Sequence, residues 1–237
     1  MRLTREQLRQ IRGRHLGYRI CLVYELTMVL LLPVAQRFPS LLSLLLILEA
    51  AVFMIFVTRF SSLKATRPLM LTLGSMAIAM ELIWHAAMAF NPVLARHLTV
   101  PHVVVWVMFL VLTVLRKVKS LIREPYVTTS VVLGAAAGYL TVGIAGGVML
   151  TALWVLQPSA FVASALPPVS SVGAIPVFAG PSLMAASFGL LTTVGTSVLT
   201  PSNINAQVIA NVITISGQLY VAILIALILG RAQKRLS

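Results

Sequence analysis

Apolar residues fall into six long blocks separated by short polar or proline-bearing breaks. They run over about Arg19–Gln36, Ser40–Arg59, Pro68–Phe90, Thr99–Leu115, Val127–Leu156 and Asn203–Gly230. Each has about the length a helix needs to cross a hydrocarbon layer roughly 30 Å thick. Arg37, Phe38 and Pro39 predict a tight turn between the first two blocks, and Asn91–Pro92 breaks the chain after the third. A shorter apolar run, Leu183–Leu191, is too short to span and predicts a half-helix that enters from one face and stops midway. The connection before it, Gln157–Pro181, carries no charge. It holds Pro158, Pro167, Pro168, Pro176 and Pro181, which exclude one long helix and predict an extracellular turret. No internal repeat is visible.

Composition sets the solvent. The 237 residues are 59% hydrophobic and only 10% charged, with a mean hydropathy of +0.99. A soluble domain of this length carries far more polar surface. The 18 Lys and Arg against 5 Asp and Glu would suit nucleic acid as a partner, but they sit in short clusters between apolar blocks, so no nucleic-acid partner is expected. A lone cysteine, Cys21, excludes an intrachain disulfide and a multi-cysteine metal site. The opening residues are basic and amphipathic and lack a small-residue cleavage site.

The charges orient the bundle. Basic clusters occur at Arg2, Arg5, Arg9, Arg12, Arg14 and Arg19, then at Arg59, Lys64 and Arg67. Two more follow, at Arg116, Lys117, Lys119 and Arg123 and at Arg231, Lys234 and Arg235. With six spans all four clusters fall on one side, and only Arg37 and Arg96 fall on the other. The positive-inside rule then predicts a multi-pass protein of the cell membrane with both termini cytoplasmic. Anionic lipid headgroups are the expected partners of these clusters, alongside their role in setting topology. The expected fold class is an all-α membrane protein with six transmembrane helices. Residues 1–18 read as a basic amphipathic helix and 19–115 as a four-helix peripheral domain. Residues 116–124 read as a basic cytoplasmic linker along the membrane surface, and 125–237 as a pore domain.

The candidate chemistry lies in Ser187–Thr200, SFGLLTTVGTSVLT. It reads as a short helix breaking into an extended loop rich in Thr, Val and Gly. Such a loop can point successive carbonyls at one axis and replace the water shell of a cation. The short helix would also aim its negative carboxyl end at the membrane centre.

TTVGTSVLTP resembles the filter of potassium channels, whose usual form is TTVGYGD followed shortly by TP. ISGQLYVAILIALILGR resembles the inner helix of small bacterial channels of the two-helix pore-domain (ion channel 2) family, which often carry IGQLYLAILIARLVG there. REPYVTTSVVLGAAAGYL resembles the start of their outer helix. The resemblance covers roughly Glu124 to Arg231. It implies a homotetramer with four re-entrant loops around one central pore. It assigns Thr193, Val194 and Gly195 to the inner half of the filter, with Thr192 as the anchor of the pore helix. The outer half departs, with Thr196, Ser197 and Val198 where the family has Tyr, Gly and Asp. Ser197 then stands where a glycine normally takes a left-handed conformation, at a cost of about 1 kcal/mol or more. Ion-binding residues are therefore expected at Thr193, Val194, Gly195, Thr196 and Ser197, with weakened preference for potassium over sodium.

Elsewhere the residues bear on gating and packing. The fourth block has no arginine before Arg116, so it lacks the repeated charges of a voltage sensor. Glu25, Glu49, Glu81, His85 and His102 are ionisable groups at membrane depth. Glu81 and His85 share a helix face. They read either as a metal or proton site or, more simply, as polar contacts that hold the helices together. Gly134, Gly138, Gly143 and Gly147 suit close helix packing. Gly217 reads equally as a gating hinge and as a contact with the pore helix. Thr214, Gln218 and Tyr220 give the last helix the polar character of a cavity lining. The expected function is a potassium-channel-like cation channel, with no cofactor, no enzymatic activity and no metal beyond the permeant ion. The alternatives are a non-conducting regulatory subunit with a degenerate filter and a transporter.

Overall fold

In the computed structural model, residues 5–60, 65–124, 128–162, 179–200 and 202–233 are described. Among them the chain forms seven α-helices: α1 (Arg5–Ala35), α2 (Pro39–Ile55), α3 (Arg67–Phe90), α4 (Pro92–Ile122), α5 (Thr129–Leu156), α6 (Ala179–Leu191) and α7 (Ile204–Gln233). A π-helical turn, Phe56–Phe60, prolongs α2, and a 3-10 turn, Pro158–Ala160, follows α5. No strand occurs among the described residues, and Phe161 and Leu199 meet as an isolated antiparallel bridge. Six of the helices, all but α6, are long and apolar enough to cross a membrane.

The punctuation works as its residues require. Pro39 opens α2, where a missing N–H costs nothing. Asn91 caps α4, its side chain accepting the Leu94 N–H at 3.1 Å, with Pro92 next in line.

Four boundaries differ from the sequence expectation, the first being the start of α4, at Pro92 and not near Thr99. α1 is one continuous helix, so no break separates the basic amphipathic residues from the first span. α4 runs on past Leu115 to Ile122, and the basic stretch from Arg116 continues it instead of lying apart as a linker. The reason is packing. Lys117 and Ser120 are buried in the bundle, and the Arg116 guanidinium donates to Thr66. α6 begins at Ala179, earlier than Leu183, because Pro181 sits in the first turn, where helices tolerate it. The expected turret falls largely on residues 163–178, outside the described residues, as do Arg2, Lys64, Pro125, Pro201, Lys234 and Arg235.

Helices in lipid gain little from the hydrophobic effect between them and must associate through packing and polar contacts. α5 supplies the sockets. A side-chain carbon at Gly134 would collide with Tyr18 of α1, at Gly138 with Tyr220 of α7, at Gly143 with Phe188 and at Gly147 with Met184 of α6. The glycines thus admit large side chains from three neighbours, which is how small residues bring helices together here. One apolar core joins α1 to α5 around Phe53, Met70, Trp106 and Phe109. A second joins α5, α6 and α7 around Leu150, Trp154, Leu183, Leu191 and Ile213.

Candidate functional site

α6 has 13 residues, so at about 1.5 Å each it reaches roughly 20 Å, short of a full span of about 30 Å. Its start lies at the end of the bundle where α1 finishes. There the Ser182 hydroxyl donates to Gln36, just past the end of α1, at 3.0 Å. Its end lies level with the middle of its neighbours. Tyr139, well inside α5, donates to the Leu191 carbonyl at 3.0 Å, and Thr214, midway along α7, donates to the Leu190 carbonyl at 3.1 Å.

A helix leaves its last four carbonyls without intrahelical partners. Here each finds one. The Phe188 carbonyl accepts from the Thr192 N–H and hydroxyl, and the Gly189 carbonyl from the Gly195 N–H at 2.9 Å. The Leu190 carbonyl accepts from the Thr193 N–H as well as from Thr214. Thr192 thus closes the helix end with both its N–H and its hydroxyl on the Phe188 carbonyl. The far side of the loop is tied down too. Val162 N–H donates to Val198 and Thr200 N–H to Ala160, both at 2.9 Å.

Between these ties the loop is open. Thr192, Thr193, Val194, Gly195 and Ser197 are exposed in the single chain, Val194 by 84%. The carbonyls of Val194, Thr196 and Ser197 accept no hydrogen bond from the described residues. Gly195 behaves differently. It folds back on α6, its oxygen so close to Gly189 that a side-chain carbon there would lie 2.5 Å away. The backbone takes positive φ at Thr193 (63°) and Gly195 (87°). Ser197 does not, so the left-handed strain expected there sits at Thr193 instead. A branched residue with positive φ is held by its surroundings, here by both flanking ties.

Gly217 meets the end of α6. A side-chain carbon at that position would lie 2.8 Å from the Leu191 oxygen, which is the geometry of a packing contact. Tyr220 does not face an opening. It is buried, and its hydroxyl donates to the Ala135 carbonyl at 2.8 Å. Asn211, Thr214 and Gln218, spaced by three and four residues, form the polar stripe of α7, and Asn211 and Gln218 are exposed. α7 has 17% of its most apolar window buried against 67% for α5.

The ionisable groups of the other helices are mostly paired within the chain. Lys117 Nζ donates to Glu25 at 2.6 Å and to Thr141 at 2.9 Å, and lies 4.4 Å from the centre of the Phe53 ring. Glu81 accepts from His102 at 2.7 Å and from Trp106 at 3.0 Å. His85 pairs with Ser43 at 3.2 Å and not with Glu81, although the two share a helix face. Arg14 meets Glu124 at 2.7 Å. Glu49 is the exception, fully buried with no hydrogen bond to either oxygen among the described residues. No group of three potential metal ligands occurs among the described residues.

Compared with known proteins, the chain matches no family model, no curated protein and no solved structure.

Sequence reasoning missed Lys117, grouped with the topology charges although it is buried, and Asn211. Counting along the helix places Asn211 on the stripe of Thr214 and Gln218. Nothing in the sequence places Lys117 beside Glu25, 92 positions away.

Proposed function

We propose that this protein is a homotetrameric cation channel of the cell membrane, with both termini cytoplasmic and a central pore walled by four copies of the Thr192–Thr200 loop. The supporting observation is the run of open carbonyls at the end of a helix that stops midway through the bundle. Backbone that is not helical is tolerated at that depth only when it is buried in protein or lines water. One loop supplies one wall, so the remaining walls come from further copies. The sparse burial of α7 leaves it free to pack against them. Thr193, Val194, Thr196 and Ser197 then hold potassium through carbonyls, with the Thr193 hydroxyl adding a ligand. Sodium also passes, because the outer half lacks the aromatic residue and glycine of the potassium-channel pattern. Anionic headgroups meet the basic clusters at the cytoplasmic face. Voltage is not the stimulus, since α4 carries no Lys or Arg between Arg96 and Arg116.

The alternative is a non-conducting subunit built on the same frame. The inward-folded Gly195 carbonyl favours it, because that oxygen faces α6 and not an open axis. Currents from the purified protein in planar bilayers, under opposed potassium and sodium gradients, separate the two. A cation current supports the channel, and no current with either ion supports the closed subunit.

A further inference from the structure

A cavity of about 50 Å³ lies where α2, α3 and α4 face α5 and the start of α6. At about 10–15 Å³ per water-sized group it has room for roughly three to five such groups. Glu81, only 2% exposed, lines it. Both hydrogen bonds to this carboxylate, from His102 and Trp106, go to Oε2. Oε1 makes no hydrogen bond among the described residues, where His102, on Oε2, is the one basic side chain within ion-pair distance of Glu81. A carboxylate in so apolar a setting is costly without partners, and its free oxygen can take a donor from the cavity. Of the three hydroxyls that border the cavity, Thr99 accepts from Trp84 and donates to the Ala95 carbonyl, which leaves two. Ser43 pairs with His85 at 3.2 Å, and Thr151 donates to the Gly147 carbonyl at 2.9 Å, which leaves its oxygen able to accept. The rest of the wall is mainly apolar, with Met184 of α6 closing one side.

We propose that this cavity binds a primary ammonium group on a chain of two or three carbons, with Glu81 as its counter-ion. Glu81, Ser43 and Thr151 put three acceptors on the wall, equal in number to the N–H donors of such a group. The apolar wall and the small volume match its short chain. A water would satisfy the hydrogen bonds but, unlike an ammonium group, would bring no cation to the carboxylate. Too few ligands converge for a metal. Two sources supply this chemistry. Ser43 and Glu81 also border a groove on the outside of the bundle between α2 and α3, beside Leu44, Leu82 and His85. That groove opens where lipid lies, so the ammonium reaches Glu81 either as a free short alkylamine or as an ethanolamine headgroup. Because Met184 and Gly180 of α6 form part of the wall, occupancy restrains the helix that carries the open loop. Any effect on current rests on the channel reading, whereas the binding does not.

The test uses the purified full chain in lipid-free detergent, with thermal unfolding and calorimetric titration. Propylammonium should raise the unfolding midpoint and bind saturably. Propanol, which has no charge, and tetramethylammonium, which has no N–H, should do neither. Glu81→Gln should weaken propylammonium binding by about tenfold or more, as expected on losing a charge-assisted contact. The wild-type series stands by itself if that variant folds poorly. A second arm compares vesicles of phosphatidylethanolamine and phosphatidylcholine. Protection by the former, lost in Glu81→Gln, assigns the headgroup as the source even where free amine does not bind. Equal responses to propylammonium and propanol would overturn the proposal. So would binding unchanged in a folded Glu81→Gln protein, or the absence of both an amine response and a lipid difference. Neither arm records current, so this site and the channel can fail independently.

Discussion

Two sets of polar groups lie inside this apolar bundle, and they are treated in opposite ways. Between α1 and α5 the ionisable side chains mostly close on one another, as Lys117 does with Glu25 and Thr141. Around Thr192–Thr200 the flanks are tied at both ends, yet the carbonyls between them are left open. A polar group in lipid must find a partner, so the first set is finished within one chain and the second is not. The contrast locates where the molecule holds itself together and where it needs something else, whether further copies, water or ions.

The largest expected effect follows directly. If further copies finish the loop, native mass spectrometry in mild detergent gives a tetramer. A monomer as the sole intact species would remove the difference between the two regions, because the loop would then be no less complete than the rest.

Next in size is the closed set. Lys117→Met leaves Glu25 and its neighbour Glu49 buried without a cation, and removing one partner of such a pair costs about 3–5 kcal/mol. The double substitution Glu25→Gln with Lys117→Met should recover much of that loss, since Glu25 is then no longer a stranded charge and only Glu49 lacks the cation. Denaturant unfolding in detergent measures both. A loss below about 1 kcal/mol for the single change would mean that the pair is open to water and that the two regions differ less than the geometry says.

What the sequence made legible follows from range. The six spans and the proline turns are local, and hydropathy and Pro39 or Asn91 announce them. The half-helix was visible in the length of its apolar run. The course of α4 beyond Leu115 was not, because four basic residues near a span end read as surface charge until a buried carboxylate on α1 is known to be waiting. Tyr220 misled in the same way. A hydroxyl on the last helix looks like a pore lining, but Gly138 opens a socket for it across 82 positions of sequence, and its hydrogen bond goes to α5. Within the loop the motif says nothing of conformation, since φ at Thr193 depends on the ties to Leu190 and Gly189.

A moderate effect is expected on selectivity. Thr196→Tyr, Ser197→Gly and Val198→Asp together should restore the outer half of the potassium-channel pattern and move the reversal potential toward that of potassium. The unmodified channel should reverse between the potassium and sodium potentials. Reversal already at the potassium value would show that the open carbonyls select ions without those residues.

The smallest effect separates two neighbouring positions in the open loop. Thr193 holds φ at 63°, whereas Ser197 is not among the residues of positive φ. Left-handed backbone costs a side-chain-bearing residue about 1–2 kcal/mol, and glycine largely escapes that cost. Thr193→Gly gives up the hydroxyl contact to the Thr192 carbonyl, an exposed bond of modest worth. The net expectation is a gain of about 1 kcal/mol per chain, read as a higher unfolding midpoint. Ser197→Gly relieves no strain and frees the unfolded backbone, so it should lose up to about 1 kcal/mol. Opposite signs at positions four apart would be hard to obtain from a floppy loop, which would respond little to either change. Should Ser197→Gly be the stabilising one, the left-handed residue lies there in the assembled protein. The Gly195 carbonyl would then be expected to turn away from α6 as the copies come together.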